Sequence, residues 1–339
     1  MGFGAIGAGV ITAFTALFKY AWGAAPLAPL WIGVAQSLNY AASFLLMQAL
    51  GWMLASKMPS VTASALARAM GEQDDMHAEV ELIAGIARTQ FIVTAGNLLG
   101  AIPAALLIDL FVRWMTGHSF LSEDPALHGL HSMDPLGSFT IFFAALTGGL
   151  LWLASLAAGW SANWMALHRL PEAVAHSRSV RRSLGLEKAE KFGHALEHGF
   201  SGAVGYVCLG FLLGMLPFLG AFGGIPLEVR HVTLASASVA YDISALMRDA
   251  HPPVWEMAAA AIGVGVTGIA NFAISFALGL WLAIRSRNLD ASHRRFLVRT
   301  LAREFRRAPG RFIWANPPAS SAAQEGQTSG RSQEHRSGE

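Results

Sequence analysis

Six long apolar stretches dominate this chain and restrict the folds open to it. A helix needs about 20 apolar residues to cross the hydrocarbon core of a bilayer. The stretches of that length are Phe3–Trp22, Pro29–Leu54, Phe91–Trp114, Phe139–Trp164, Phe200–Phe222 and Val254–Ile284. Strands of a membrane barrel would instead give short segments of alternating polarity. The sequence therefore predicts an all-α polytopic transmembrane helical bundle with about six spans.

The low content of charged residues argues against a soluble enzyme. Only 14% of the 339 residues are charged and 53% are hydrophobic, whereas soluble domains carry about 25% charged residues. A lipid-facing surface needs no charges, so a membrane location explains the deficit. The single cysteine, Cys208, rules out a disulfide within the chain and a cysteine-rich metal site. The sequence predicts no cofactor.

The basic residues fall almost entirely on one side of the predicted bundle. Of the 24 lysines and arginines, twenty lie after spans two, four and six. The other side holds Lys19, Arg113, Arg230 and Arg248. The positive-inside rule then places both termini in the cytoplasm, and an even number of spans also requires the termini to share a side. We expect a multi-pass protein of the bacterial inner membrane.

The chain divides into three regions by composition. Residues 1–287 form the six-helix transmembrane domain. Residues 288–314 are predicted to form a basic amphipathic helix, with Leu297, Leu301 and Phe305 on one face. We expect Arg285–Arg311 to contact the bilayer through its anionic inner leaflet. Residues 315–339 are rich in Ser, Gln, Glu and Gly, which is typical of a disordered tail.

The connections between the spans differ in character. Residues 60–88 and 171–198 mix apolar and charged residues, which predicts cytoplasmic amphipathic helices. On the opposite side, residues 117–137 are predicted to form a polar loop. Lys19 and Asp109 lie near the ends of their spans, where long side chains reach the membrane surface.

Asparagines within the spans are the first candidate site. Asn39, Asn97 and Asn271 lie in spans two, three and six. They are interpreted either as a polar pathway or binding site in the bundle interior or as interhelical hydrogen-bonding residues. A pocket lined by these three residues would favour transport, whereas a filled, glycine-packed bundle would favour scaffolding.

A second candidate is the pattern His194-x-x-Glu197-His198. Its spacing matches a zinc-peptidase motif in which the glutamate is the base. On a helix, His194 and His198 share a face and are able to bind one metal ion. Nothing in the sequence marks a further ligand, and a solvated surface at the membrane boundary explains the same residues.

The third candidate is the octapeptide Pro226–Thr233, which follows span five. It groups Glu228, Arg230 and His231 in a region that is otherwise poor in charge. Pro226 prevents the preceding helix from continuing, and residues 229–241 are too short and too polar to span. We expect this segment to fold back against the bundle and to place Arg230 and His231 at the mouth of a polar cavity formed by spans two, three and six. Arg230 would hold an anionic group, and His231 would confer sensitivity to pH. An ordinary polar connection is the alternative.

Several short motifs resemble one bacterial family. They are Asn39-Tyr40-Ala41, Lys57-x-Pro59-x-x-Thr62-Ala63, Gly159-Trp160-x-x-Asn163 and, above all, the octapeptide. Together they resemble the family named site-specific recombinase, over most of residues 1–310. Members of that family are longer, so the resemblance implies a soluble N-terminal region that precedes the membrane part. Glu228 stands where the family has aspartate.

The residues themselves do not match recombinase chemistry. A tyrosine recombinase needs a His-x-x-Arg motif, which this sequence lacks, and a serine recombinase needs a soluble catalytic domain. We therefore expect no specific nucleic acid partner and no catalytic residues. Transport or passage of a small solute or lipid is the leading hypothesis. A membrane scaffold or envelope-assembly partner is the second, and DNA recombination is the third.

Overall fold

A computed structural model describes residues 2–54, 76–249, 254–286, 299–300 and 302–313. Long helices joined by short connections make up most of this part of the chain. The helices are α1 (Gly2–Gly23), α2 (Pro29–Ala49), α3 (Met76–Thr116), α4 (Glu123–Ser132), α5 (Thr140–Leu167), α6 (Leu170–His176), α7 (Arg178–Leu184), α8 (Leu186–Phe222), α9 (Val232–Asp249), α10 (Val254–Ser286) and, near the C-terminus, α11 (Gly310–Ile313).

Helices α1, α2, α3, α5, α8 and α10 are long and apolar enough to cross a membrane. This confirms the predicted six-span bundle. Successive spans run in opposite directions, so the connections gather at two ends. We call the end with residues 24–28, 117–139 and 223–231 the loop end. The other end, with residues 50–54, 168–185 and 299–313, is the terminal end.

Glycines allow neighbouring spans to approach very closely. A Cβ on Gly100 of α3 would lie 2.0 Å from the carbonyl oxygen of Ile6 in α1. On α8, a Cβ on Gly210 would lie 2.5 Å from the amide nitrogen of Ala41, and one on Gly214 would lie 2.4 Å from that of Ser37. Small residues at such contacts are typical of membrane helix packing, which gains little from hydrophobic burial.

The connections depart from the prediction in two places. The third and fifth spans continue without a break into the expected amphipathic segments, forming α3 and α8. The segment 117–137 is not simply a polar loop, because it contains α4. Ala126 and Leu130 of α4 are buried against α9. Apolar contacts therefore shape this segment, and its polar composition concealed them.

Helix α9 is a short helix that lies inside the bundle. It packs against α1, α3, α4 and α10, and residues 231–242 are all buried. The prediction that this segment does not span is consistent with its 18 residues. We expected the segment to fold back against the bundle, but the structure places it deeper, inside the bundle.

The C-terminal segment is attached to α3 at the terminal end. Arg311 forms ion pairs with Glu81 at 2.8 Å and with Glu304 at 3.0 Å. Arg88 donates a hydrogen bond of 2.9 Å to the carbonyl oxygen of Arg311. The guanidinium of Arg311 is therefore occupied by carboxylates of the protein. Contact of the basic segment with anionic lipid stays a prediction.

Parts of the predicted C-terminal organisation lie outside the described residues. Residues 302–307 are helical. The predicted boundaries near 287 and 314, most of the basic helix and the tail 315–339 fall on residues that the structure does not describe. The same holds for residues 60–75 of the expected amphipathic connection.

Candidate functional site

A cavity of about 370 Å³ lies at the loop end of the bundle. Its walls come from α1, α2, α4, α8 and α9, together with residues 228–230. Pro125 and His128 line it from α4 and are exposed, so this side forms the rim. Tyr40, Leu213 and Leu234 line it at the opposite side and are almost fully buried.

Two basic side chains, Lys19 and Arg230, and two acidic side chains, Glu228 and Asp242, line this cavity. Arg230 forms an ion pair with Glu228 and donates a hydrogen bond of 3.0 Å from Nη2 to the carbonyl oxygen of Ser132. Asp242 accepts a hydrogen bond of 3.0 Å from the hydroxyl of Tyr20. The cavity wall therefore combines two basic and two acidic side chains in a mostly apolar surrounding.

Unlike Arg230, Lys19 is not paired with a carboxylate in the described part of the chain. Its ammonium lies 5.5 Å from the centroid of the Tyr20 ring. Among the described residues, no carboxylate lies within ion-pair distance of it. A cation over an aromatic face gains only about 0.5–2 kcal/mol, which does not replace the hydration that the ammonium loses. This leaves an attractive position for an anionic group in the cavity.

The octapeptide is held in place by side chains of two spans. The amide of Arg230 donates a hydrogen bond of 2.9 Å to Oγ1 of Thr147 in α5. Asn271 of α10 donates a hydrogen bond of 2.9 Å to the carbonyl oxygen of Arg230 and accepts one of 3.1 Å from the amide of Val232. The non-helical backbone before α9 is thus satisfied within the protein, as bilayer depth requires. These bonds fix the position of the Arg230 side chain in the cavity.

Aromatic rings close the cavity toward the terminal end. The ring of Tyr40 stacks on Phe44 with centroids 6.3 Å apart, and Phe44 contacts Tyr206 at 5.9 Å. All three rings are less than 5% exposed. We call Tyr40, Phe44 and Tyr206 the aromatic floor. The cavity is therefore open toward the loop end and closed toward the terminal end.

The three predicted asparagines do not line the cavity. Nδ2 of Asn39 donates a hydrogen bond of 3.0 Å to the carbonyl oxygen of Thr15 in α1. Asn97 donates to the carbonyl oxygens of Met53 and Val93, at 3.1 and 2.7 Å. Asn271 also donates a hydrogen bond of 2.8 Å to the carbonyl oxygen of Ala144 in α5. They connect separate segments, so the interhelical interpretation describes their contacts better than a shared binding pocket does.

The structure separates the three predicted residues of the octapeptide. Glu228 and Arg230 line the cavity. His231 is 1% exposed and turns away from it into the protein, where Nδ1 has no hydrogen-bond partner among the described residues. Burial lowers the pKa of His231 to about 4, so its ring stays neutral near pH 7. The cavity also lies between spans one, two and five rather than spans two, three and six.

The predicted metal pattern lies on the part of α8 at the terminal end. Nδ1 of His194 lies 3.7 Å from a carboxylate oxygen of Glu197, and both side chains are exposed. The side chain of His198 lies outside the described residues. Among the residues that are described, no group of three or more His, Cys, Asp or Glu side chains is placed to hold a metal ion.

Sequence reasoning missed Lys19, Tyr20 and Asp242 as members of one site. Tyr20 and Asp242 are 222 positions apart, and only the burial of α9 brings them together. One signal was available, since Lys19 and Asp242 are isolated charges within apolar segments. Such residues usually face the bundle interior or a water-filled cavity.

A second buried charge, Asp109 in α3, has a full set of partners. It accepts hydrogen bonds from Nε of Arg113 at 2.9 Å, from the Ser119 hydroxyl at 2.6 Å, from the Ser244 hydroxyl at 2.5 Å and from the amide of Phe120 at 2.9 Å. It does not reach the membrane surface as a snorkelling residue would, because it is 1% exposed. This cluster joins α3 to α9 and to the segment before α4.

Six spans and a charged cavity closed at one end define a polytopic α-helical membrane protein. The family model described as site-specific recombinase matches residues 1–315. The chain therefore belongs to the site-specific recombinase family. Searches of curated proteins and of solved structures gave no match.

Proposed function

We propose that the chain binds a small solute or a lipid headgroup in the loop-end cavity and passes it across the bilayer. The unpaired ammonium of Lys19 inside this cavity is the observation that carries the proposal. A bundle that served only as a structural element would gain nothing from such a charge, because an ion without a partner is costly in a membrane. A ligand that pairs with Lys19 would offset this cost.

The seam between α2 and α8 is the route that we propose for passage. Pro217 of α8 lines the cavity and has no amide hydrogen to donate to the carbonyl of Leu213, one turn earlier and also in the lining. This break in the helix ladder supports bending of α8 above the aromatic floor. Movement of Phe44 and Tyr206 would then join the cavity to the terminal end.

Two-sided accessibility of a cavity residue tests passage without knowledge of the ligand. Gln36 lines the cavity and is half-buried, so Gln36→Cys in a Cys208→Ala background offers a single thiol. We expect a membrane-impermeant maleimide to label it from the loop end and, more slowly, from the terminal end of oppositely oriented vesicles. Ser155→Cys, at a buried position of α5, is the matched control and should stay unlabelled. Labelling from the loop end alone would overturn passage.

A scaffold is the second candidate, and the tight seams support it. The glycines at the α2–α8 and α1–α3 contacts and the asparagine bonds describe a bundle built for rigid packing. A rigid scaffold predicts that the thiol of Gln36→Cys is reached from one side only. The same labelling experiment therefore separates the two functions.

DNA recombination, which the family name suggests, fits the tyrosines of this chain poorly. All four tyrosines lie within helices of the bundle, and Tyr40, Tyr206 and Tyr241 are less than 5% exposed. A nucleophilic tyrosine must reach a DNA phosphate. We expect that the purified protein forms no covalent adduct with DNA. An adduct lost when one of the tyrosines is changed to phenylalanine would establish the opposite.

We further propose that the protein resides in the bacterial inner membrane with both termini in the cytoplasm. The support is the charge distribution, because twenty of the 24 basic residues follow spans two, four and six in the sequence. The cavity would then open to the periplasm.

A further inference from the structure

We infer that the ligand of the loop-end cavity is a zwitterion, with a primary ammonium group and a phosphate or carboxylate group a few bonds apart. This inference rests on the proposed binding function and names its substrate class. The observation behind it is the balance of charges in the cavity wall, where Lys19, Arg230, Glu228 and Asp242 stand together.

The cation side of the cavity is suited to an anionic group. Lys19 has three N–H donors and no carboxylate within ion-pair distance among the described residues. Arg230 lines the same wall, and 11% of its side chain is exposed. An anionic oxygen that accepts from Lys19 would form a charge-assisted hydrogen bond, which is about twice as strong as a neutral one. The positive charge of Arg230 would attract the same group.

The carboxylate side of the cavity is suited to an ammonium group. Asp242 is 1% exposed, and among the described residues it accepts a hydrogen bond from Tyr20 and has no cation within ion-pair distance. Glu228 is paired with Arg230 but keeps 39% of its side chain exposed. Both residues line the same cavity as Lys19. An ammonium group placed near Asp242 would supply the missing positive charge.

A ligand of one sign alone fits this wall less well. A simple anion at Lys19 would be repelled by two carboxylates in a poorly screened space, and a simple cation at Asp242 would be repelled by Lys19 and Arg230. A zwitterion pairs both unpaired groups and leaves the cavity neutral. The chemistry is that of an ethanolamine phospholipid headgroup and equally of a free amino acid or phosphoethanolamine.

Equilibrium binding to the full chain in lipid nanodiscs tests this inference. The probes are phosphoethanolamine, inorganic phosphate and ethanolamine. We expect phosphoethanolamine to bind at least about tenfold more tightly than phosphate or ethanolamine alone. This is the effect expected when a second charge-assisted hydrogen bond is added. Equal binding of phosphate and phosphoethanolamine, or no binding of phosphoethanolamine, would overturn the inference.

Two substitutions dissect the two halves of the site. Lys19→Met should weaken binding of phosphoethanolamine and of phosphate, each by about tenfold or more. Asp242→Asn should weaken binding of phosphoethanolamine and leave phosphate binding unchanged or tighter, and Glu228→Gln serves if the Asn variant does not fold. The controls are Lys191→Met and Glu187→Gln, which alter an exposed ion pair on α8. Unchanged phosphoethanolamine binding in both carboxylate variants would contradict the assignment.

The lipid composition of the nanodiscs distinguishes the two sources of the zwitterion. If a phospholipid headgroup is the ligand, ethanolamine phospholipid in the disc should compete and weaken binding of phosphoethanolamine relative to discs of phosphatidylglycerol. If a free solute is the ligand, the two discs should give the same affinity. The Gln36→Cys test of passage needs no ligand. Failure of the proposed passage and failure of the zwitterion assignment are therefore distinguishable.

Discussion

Two basic side chains of the spans, Lys19 and Arg113, have opposite environments. Nε of Arg113 donates to the buried carboxylate of Asp109, and Nη2 also bonds the carbonyl oxygen of Ser244. Lys19 has only the face of Tyr20. One cation is thus a structural link between α3 and α9, whereas the other is a charge that the fold itself does not use.

This contrast predicts that removing Lys19 and removing Arg113 have opposite effects on the free energy of unfolding. Lys19→Leu should raise the free energy of unfolding by on the order of 1 kcal/mol, because removal of a poorly compensated charge is often stabilising. Arg113→Leu should lower it by about 3–5 kcal/mol, because Asp109 would be left buried without its cation. Denaturation of the two purified variants in detergent measures both changes. Destabilisation by Lys19→Leu equal to that of Arg113→Leu would mean that Lys19 is structural.

The buried ring of His231 should make the stability of the protein depend on pH. Its pKa is about 4 in the folded chain against an ordinary 6.5, so the unfolded chain binds the extra proton and acid favours unfolding. The stability associated with the neutral ring is present above pH 6.5 and is lost as the pH falls from 6.5 to 4, by about 3 kcal/mol. Thermal unfolding should show the wild type losing stability over this window relative to His231→Phe. Parallel pH profiles would contradict the buried position of His231.

At the scale of elements, sequence patterns and long-range contacts determined different parts of the structure. Apolar run length was sufficient to locate α1, α2, α5 and α10, because a bilayer imposes one minimum length on every span. The buried helix α9 was identified only as a segment too short to span. Its depth depends on Asn271, Thr147 and Asp109, which bond it or its preceding turn from three other elements. No local pattern encodes such contacts, and for the same reason the cavity walls were assigned to the wrong spans.

The glycine seam between α2 and α8 gives a prediction at this scale. Gly214→Ala should destabilise the bundle, because the new Cβ would meet the backbone and hydroxyl of Ser37 at 2.4 Å. Overpacking costs about 1–3 kcal/mol, which outweighs the gain of up to about 1 kcal/mol in helix propensity. Gly149→Ala in α5 is the control, since a Cβ there meets nothing within 4 Å. Thermal melts should show a lower midpoint for Gly214→Ala alone, and equal midpoints would argue against a close seam.

For the whole molecule, the described arginine-rich segments and the cavity lie at opposite ends. Residues 168–185 and the segment that Arg311 attaches to α3 are at the terminal end. The loop end carries the cavity and few basic residues. The family name points to DNA, whereas the cavity with its ionisable side chains lies at the loop end, away from the described arginine-rich segments.

The most direct test is the sidedness of three single cysteines in intact bacterial cells, each in the Cys208→Ala background. Leu136→Cys reports the loop end, where Leu136 is 94% exposed, and Leu186→Cys reports the terminal end, where Leu186 is 57% exposed. Gln36→Cys reports the cavity, which this half-buried residue lines. An impermeant maleimide should label positions 136 and 36 in intact cells and position 186 only after permeabilisation. Labelling of 136 and 186 from the same side, or a thiol at 36 that no reagent reaches, would contradict a six-span protein with a cavity open to the periplasm.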